Sequence, residues 1–352
     1  MRMTFQTLNP RGRNMAEYSP SEHTPRVDIH CHIIPGEFWK ASESADGWFG
    51  AKISTKNGNS FIDTADRFAG PIEPNWRLSI DERISLMESI GVDRQVLSTP
   101  PYFFNYHLDL RDGKESARSI NEELVSITSA RPDKFDALAT IPFQDVDSAI
   151  SELEWAMSNG MKGAEICTHV NGMNFDDRVL WPLFEAAEHL GAFLFFHPHA
   201  PAGVDRMKDY YLANILGNPL ENTIAIASII FGGLLDRYSD LKLCFAHGGG
   251  YACFGAPRMN RGHLVRPESR LNTSKGPSDY LKSLYYDCLT HGYDELEFLV
   301  NKVGADRILM GSDFPFDMGL DSPAEWVDGA TNLSPSEKDM ILGANAVRLL
   351  GL

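Results

Sequence analysis

The sequence predicts an α/β protein, a (β/α)8 TIM barrel with an insertion after its first strand, and three observations carry that prediction. Short β-rich apolar runs recur with helical patterns between them, the signature of parallel βα units. The runs number eight, spread over roughly 300 residues, which suits one closed barrel better than an open sheet. Some of them, such as AFLFF at 192–196, are apolar without alternation, as expected of strands buried on both faces.

In chain order the strands are read at 27–32, 94–99, 135–141, 163–169, 193–197, 242–247, 284–289 and 308–313. Helical segments at 79–90, 116–130, 145–159 and 178–190 precede the second, third, fourth and fifth strands. Two stretches depart from plain alternation. Residues 36–78 follow the first strand as a long insertion, placed where loops cover a barrel mouth and set specificity. Residues 207–236 (including GNPLENTIAIASIIFGGLLDRY) read as a long apolar helix pair. The stripe is wider than one barrel face needs, so part of it is expected either deep in the core or against a second subunit. Residues 1–26 read as a polar arm, with Met15 as an alternative start, and 27–352 as one barrel domain.

Composition narrows the partners. The chain has 352 residues and a net charge of −16, from 48 acidic against 32 basic side chains. That excess opposes binding to nucleic acid or anionic lipid and leaves room only for a local cationic pocket. No stretch of about 18 apolar residues is found, so no membrane partner is expected. The N-terminus lacks the apolar core of a secretory signal. Five cysteines, an odd number with no CxxC pair, lie mostly in or beside apolar runs, which points to reduced thiols and a cytoplasmic protein.

The chemistry starts at VDIHCHIIP. Residues i and i+2 of a strand share a face, so His30 and His32 converge at the strand's C-terminal end. One buried histidine is usually a satisfied core residue, but two on one face are costly to bury without a metal or strong hydrogen-bonding partners. The pattern repeats: His197 closes FLFFHP, His247 closes LKLCFAHGGG and Asp313 closes ILMGSDFPF. Each is a polar residue ending an apolar run, where barrel enzymes draw their active sites. Imidazole and carboxylate donors around one ion suit catalytic zinc or a similar divalent metal.

With those residues in place, the sequence resembles the amidohydrolase superfamily: HxH on the first strand, histidines ending the fifth and sixth, and aspartate ending the eighth. THV at 168–170, NPLENT at 218–223, CFAHGGG at 244–250 and GSDFPF at 311–316 are similar to the branch containing 2-amino-3-carboxymuconate-6-semialdehyde decarboxylase and related aromatic-acid decarboxylases. The resemblance implies His30, His32, His197 and Asp313 as ligands of one divalent metal, zinc first and manganese second. It implies His247, with Asp313, as the catalytic pair that manages protons. Arg258, eleven residues past His247, matches an arginine that reaches a substrate carboxylate across a dimer interface. The branch's other carboxylate-binding arginine, on the insertion, has no counterpart: around NSFIDTADRF the nearest residues are Ile62 and Asp63, with Arg67 some way off.

The remaining polar residues divide between two readings each. His199, directly after a ligand in HPH, and His291, after the seventh strand, are substrate contacts or exposed loop histidines. His169 also ends an apolar run. Glu165 is a bridging ligand to a second metal or an inward carboxyl hydrogen-bonded to a neighbouring strand. Cys31 faces away from the ligands and is packing. The glycines at 248–250 lack the Lys-Ser/Thr of a phosphate loop and read as close backbone approach. The expected activity is a metal-dependent decarboxylase, a carbon–carbon lyase acting on an unsaturated or aromatic carboxylic acid. Metal-dependent hydrolysis of a lactone, amide or imide is the alternative, and a non-catalytic binding barrel the remote one. The expected partners are a small anionic organic substrate and further copies of the chain, as a homodimer or higher homo-oligomer.

Overall fold

Eight parallel segments form the frame in the computed structural model, which describes residues 24–42, 47–65 and 68–352. The polar arm lies almost wholly outside the described residues, as do Met15 and Arg67. The strands are Val27–His32, Arg94–Ser98, Phe135–Ala137 with Ala139–Thr140, Gly163–Cys167, Phe193–His197, Lys242–Phe245, Tyr285–Asp287 and Ile308–Leu309. Each pairs with the next in parallel. The third is interrupted at Leu138, whose N–H donates back to the Leu97 carbonyl at 2.8 Å, so the ladder continues through the break. The eighth returns to the first: Ile29 N–H donates to Met310 O at 2.9 Å and His32 N–H to Phe314 O at 2.6 Å. These bonds close the barrel.

The strands are shorter at their C-terminal ends than the apolar runs suggest. Residues 246–247, 288–289 and 310–313 lie beyond the ladders, because there the chain turns outward to build the mouth. The helices fall close to expectation. Ile80–Ser89 starts from Ser79 with a capping box closed by Glu82. Val146–Ser158 starts from Asp145, whose carboxylate accepts the Ser148 N–H. The helix before the third strand runs longer, over Leu110–Ala130, because Asp109 caps it one turn and more upstream of the first periodic residue.

Apolar side chains separate into two clusters. One lies between strands and helices; it includes Leu194, Phe196 and Phe245. The other fills the barrel interior with Val96, Leu138, Phe193, Phe195 and Leu309, and Ala346, Leu349 and Leu350 of the C-terminal helix join it. Phe193–His197 shows the division plainly, its odd-numbered residues pointing inward and its even-numbered ones toward the helices.

The insertion is a small structure of its own. Helix Gly36–Ala41 is followed by three antiparallel strands, Lys52–Lys56, Asn59–Asp63 and Phe68–Ala69, and a turn at Pro74–Arg77. The stretch 207–236 is not a helix pair. It holds one continuous 20-residue helix, Ala213–Gly232, followed after Gly233 by a single turn, Leu234–Arg237. Gly233 ends the long helix in a left-handed conformation (φ 85°) that suits glycine. By length and composition this helix could cross a membrane, contrary to the sequence reading. Half of it is buried inside the protein, and its polar side chains are used there. Glu221 accepts the Ala202 N–H at 2.7 Å and Asn222 donates to Ala246 O at 2.9 Å. This is the pattern of a core helix.

Candidate active site

The first strand is irregular where it matters. Val27 and Asp28 pair with Arg94 and Gln95, but Cys31 and His32 pair with Leu97 and Ser98, so one extra residue is accommodated between them. A bulge of this kind re-aims side chains. Ile29 joins the interior cluster, yet His30 also turns inward, its ring 4.9 Å from that of Phe195. Cys31 faces the outer cluster, as expected, and His32 comes back to the interior beside His30.

His30, His32, His197 and Asp313 bring one donor atom each to a common point, all within 4.8 Å of one another. Asp313 Oδ1 lies 3.2 Å from Nε2 of His30, 3.2 Å from Nε2 of His32 and 4.0 Å from Nε2 of His197. These four atoms are buried and make no hydrogen bond. Four buried polar atoms left without partners at one point are expensive unless a cation satisfies them. Three imidazoles and a carboxylate are the donor set of a divalent metal such as zinc or manganese. The residues therefore fit the group that the sequence implies.

The opposite ring nitrogens are held. His30 Nδ1 is 2.6 Å from Asp287 Oδ2, His197 Nδ1 is 3.0 Å from Pro198 O, and His32 Nδ1 is 3.4 Å from Ser98 Oγ. Glu165 Oε2 stands behind His32 at 3.8 Å. Partners on Nδ1 leave each Nε2 aimed at the common point.

Burial and proximity set the charges. Burial would raise the Asp313 carboxyl, but the charge of His30, the hydrogen bond with His247 and the closeness of the His30 and His32 rings outweigh it and hold Asp313 well below the usual carboxylate range. Burial would lower His30, yet Asp313 and Asp287 on either side push it up to about 10. Burial keeps His32 down at about 4 and His197 well below the usual histidine value. His30 thus lies clamped between two carboxylates. Glu165 is pushed up to about 8 by burial, so it is a neutral acid at neutral pH and stands outside the group of four. Among the described residues no second set of ligands joins it.

His247 sits beside this centre. Its Nε2 is 3.4 Å from Asp313 Oδ2, the oxygen turned away from the three other ligands. Its backbone is left-handed (φ 54°), and so are those of Asp313 (φ 61°) and His291 (φ 59°). Such conformations are costly for non-glycine residues and gather at functional sites. The three glycines after His247 continue the left-handed run. A Cβ on Gly250 would stand 1.9 Å from the Pro219 carbonyl oxygen, which makes the glycine-rich loop a close backbone approach, as expected.

The mouth is a cleft of two lobes meeting at Asp313, Asn214, Asn218 and Met318. One lobe, about 560 Å³, is lined by His247, His291, Asp294, Glu295 and Phe298. The other, about 380 Å³, is lined by His197, His199, Trp76, Tyr102 and Phe316. Within the distal part of the insertion, Phe68–Pro71, Glu73 and Trp76 line the second lobe. His199 and His291 thus line opposite lobes, whereas His169 lines neither. Arg258 does not reach its own chain's site. It lies exposed on helix Ala252–Val265, and among the described residues no lysine or arginine lines either lobe.

Sequence reasoning missed Asp287 and the aromatic wall of Trp76, Tyr102 and Phe316. Asp287 was detectable, since it is the one charged residue inside the apolar run read at 284–289. The aromatic wall gave no signal, because its members come from three separate loops.

Residues 27–352 match the family model described as amidohydrolase. A 2-amino-3-carboxymuconate-6-semialdehyde decarboxylase of Dictyostelium discoideum is 35% identical over 93% of this chain and 92% of its own. A gamma-resorcylate decarboxylase of Polaromonas is 27% identical over 77% of this chain and 87% of its own. The crystal structure of a 5-carboxyvanillate decarboxylase from Sphingomonas paucimobilis superposes with a TM-score of 0.79 at 24% identity, covering 94% and 100% of the two chains. Barrel, ligand geometry and a match along nearly the whole chain lead to one conclusion: this chain belongs to the amidohydrolase family.

Proposed function

We infer that this protein is a metal-dependent decarboxylase that removes CO2 from an unsaturated or aromatic carboxylic acid. One observation carries the reading: four unpartnered donor atoms meet beside His247 in a chain whose similar relatives are decarboxylases. His30, His32, His197 and Asp313 would hold the metal, zinc in our reading with manganese as the second choice, and it would supply Lewis-acid chemistry there. Trp76, Tyr102 and Phe316 make a lobe suited to a flat unsaturated molecule and exclude water from its face. The bond between the carboxyl carbon and its neighbour breaks, CO2 leaves, and the electron pair stays on the neighbouring carbon. His247, oriented by Asp313 Oδ2, delivers the proton that this carbon takes up. His199 in one lobe and His291 in the other contact the substrate.

An anionic substrate needs a cationic side chain at the mouth, and among the described residues no lysine or arginine lines either lobe. We therefore read the active unit as a homodimer or a higher assembly in which Arg258 of one copy serves the other. Phe254 (80% exposed), one turn before Arg258 on the same helix, gives that face an exposed apolar side chain of the kind a contact surface uses. Five free cysteines, all buried, support a reducing, cytoplasmic setting.

The test is release of CO2 by metal-loaded protein from a panel of hydroxylated benzoic acids and unsaturated carboxylic acids. No CO2 from any of them, with turnover of a lactone or cyclic imide instead, would overturn the lyase in favour of a hydrolase.

A further inference from the structure

Asp287 ends the seventh strand and is fully buried, and four donors converge on its two oxygens. Oδ2 accepts the His247 N–H at 2.8 Å and lies 2.6 Å from His30 Nδ1. Oδ1 accepts the Gly248 N–H at 2.8 Å and the Leu289 N–H at 3.1 Å. A carboxylate can only accept, so the His30 ring must carry its proton on Nδ1 and turn the lone pair of Nε2 toward the ligand cluster. The same side chain anchors the start of the left-handed run 247–250, where His247 itself sits at φ 54°. A strained turn persists only where its surroundings over-determine it, and here two successive amides are pinned by one carboxylate.

We propose that Asp287 is the positioning residue of the site, one carboxylate that fixes the tautomer of the ligand His30 and, through the His247 amide, the place of the acid–base imidazole. The inference rests on the metal-dependent reading above. It also explains why the sixth and seventh strands end where they do. The polar end of the seventh strand does not face the substrate but ties the loop after the sixth to the ligand on the first.

Asp287→Asn separates this role from mere packing, because the amide has the same shape but one of its two positions must donate. Wherever the NH2 group lies, it meets either His30 Nδ1–H and the His247 amide or the amides of Gly248 and Leu289. Zinc affinity measured by chelator competition should fall about 10- to 100-fold, as when an outer partner of a metal-bound histidine is lost. At saturating zinc, kcat should fall more than KM rises, since the displaced His247 is the proton donor and only one of many residues that line the lobes. Asp287→Asn that binds zinc as tightly as wild type and keeps its kcat overturns the proposal. If the variant does not fold, the crystal structure of zinc-loaded wild type decides: Nε2 of His30 on zinc with Nδ1 on Asp287 supports it, and Nδ1 on zinc sinks it. Wild-type protein that takes up no metal overturns the metal reading itself and this one with it, whereas tight zinc binding indifferent to Asp287 overturns this one alone.

Discussion

A buried donor atom without a partner is the most informative quantity at the scale of single residues. Nε2 of His30, His32 and His197 and Oδ1 of Asp313 are such atoms, and Asp313 is the one whose negative charge holds the cluster together. Asp313→Ala should abolish activity and most of the metal, read by elemental analysis of protein purified without chelators. Full metal content in that variant would remove Asp313 from the ligand set. His247 is the contrasting case, half-buried and touching Asp313 through the oxygen that the ligands do not use. His247→Ala should keep its metal and lose at least about 10²-fold in rate, the usual contribution of a general acid–base group. Metal lost along with activity would make His247 a ligand instead.

Elements matter here where they nearly touch. The bulge in the first strand lets Ile29 and His30 both face inward, and the eighth strand must then pass close to His30. Gly311 makes that passage: a Cβ there would stand 2.7 Å from the His30 Cβ and 3.2 Å from that of Asp287. Gly311→Ala should therefore destabilise the fold by about 1–3 kcal/mol, the ordinary cost of overpacking a core. It should also weaken metal binding, because the contact falls on a ligand. Thermal melting and metal titration together check this, and an alanine variant with unchanged metal affinity would show that the first strand yields freely. At this scale the sequence was readable wherever a rule is local. The helical patterns located the helices before the second and fourth strands to within a residue or two, and Ser79 and Asp145 cap them there. The bulge was not readable, since VDIHCH carries a plain two-residue alternation and only pairing with the second strand shows the extra residue.

The molecule as a whole is strongly acidic, with a net charge of −16, yet its expected substrate is an anion. Long-range repulsion has to be offset by a cation at the site mouth, and a guanidinium does so well because its fork matches a carboxylate. Arg258→Ala should raise KM more than it disturbs metal content or melting temperature. Mixing Arg258→Ala chains with Asp313→Ala chains is the sharper experiment. If the arginine acts in trans, some mixed dimers contain one intact site and activity reappears. A monomer in solution, or no recovery between chains shown to exchange, would end the trans reading.

The sequence by itself determined the barrel, its eight strands and the polar residues at their ends, because those depend on periodicity and on one rule about where strands stop. It was also enough to bring His30, His32, His197, His247 and Asp313 into one short list. The resemblance implied how they divide, and the tertiary structure supplies the physical reason. Four of them converge because the barrel closes through the bonds from Ile29 and His32 to the chain after the eighth strand. His247 stands aside because a left-handed turn, held by Asp287, carries it there. The bonds that Asp287 makes, the aromatic lobe and the lack of a described lysine or arginine in the lining of either lobe likewise appeared only in three dimensions. Each is a relation between segments far apart in the chain, and a pattern read along the chain carries no information about which distant residue will supply the partner.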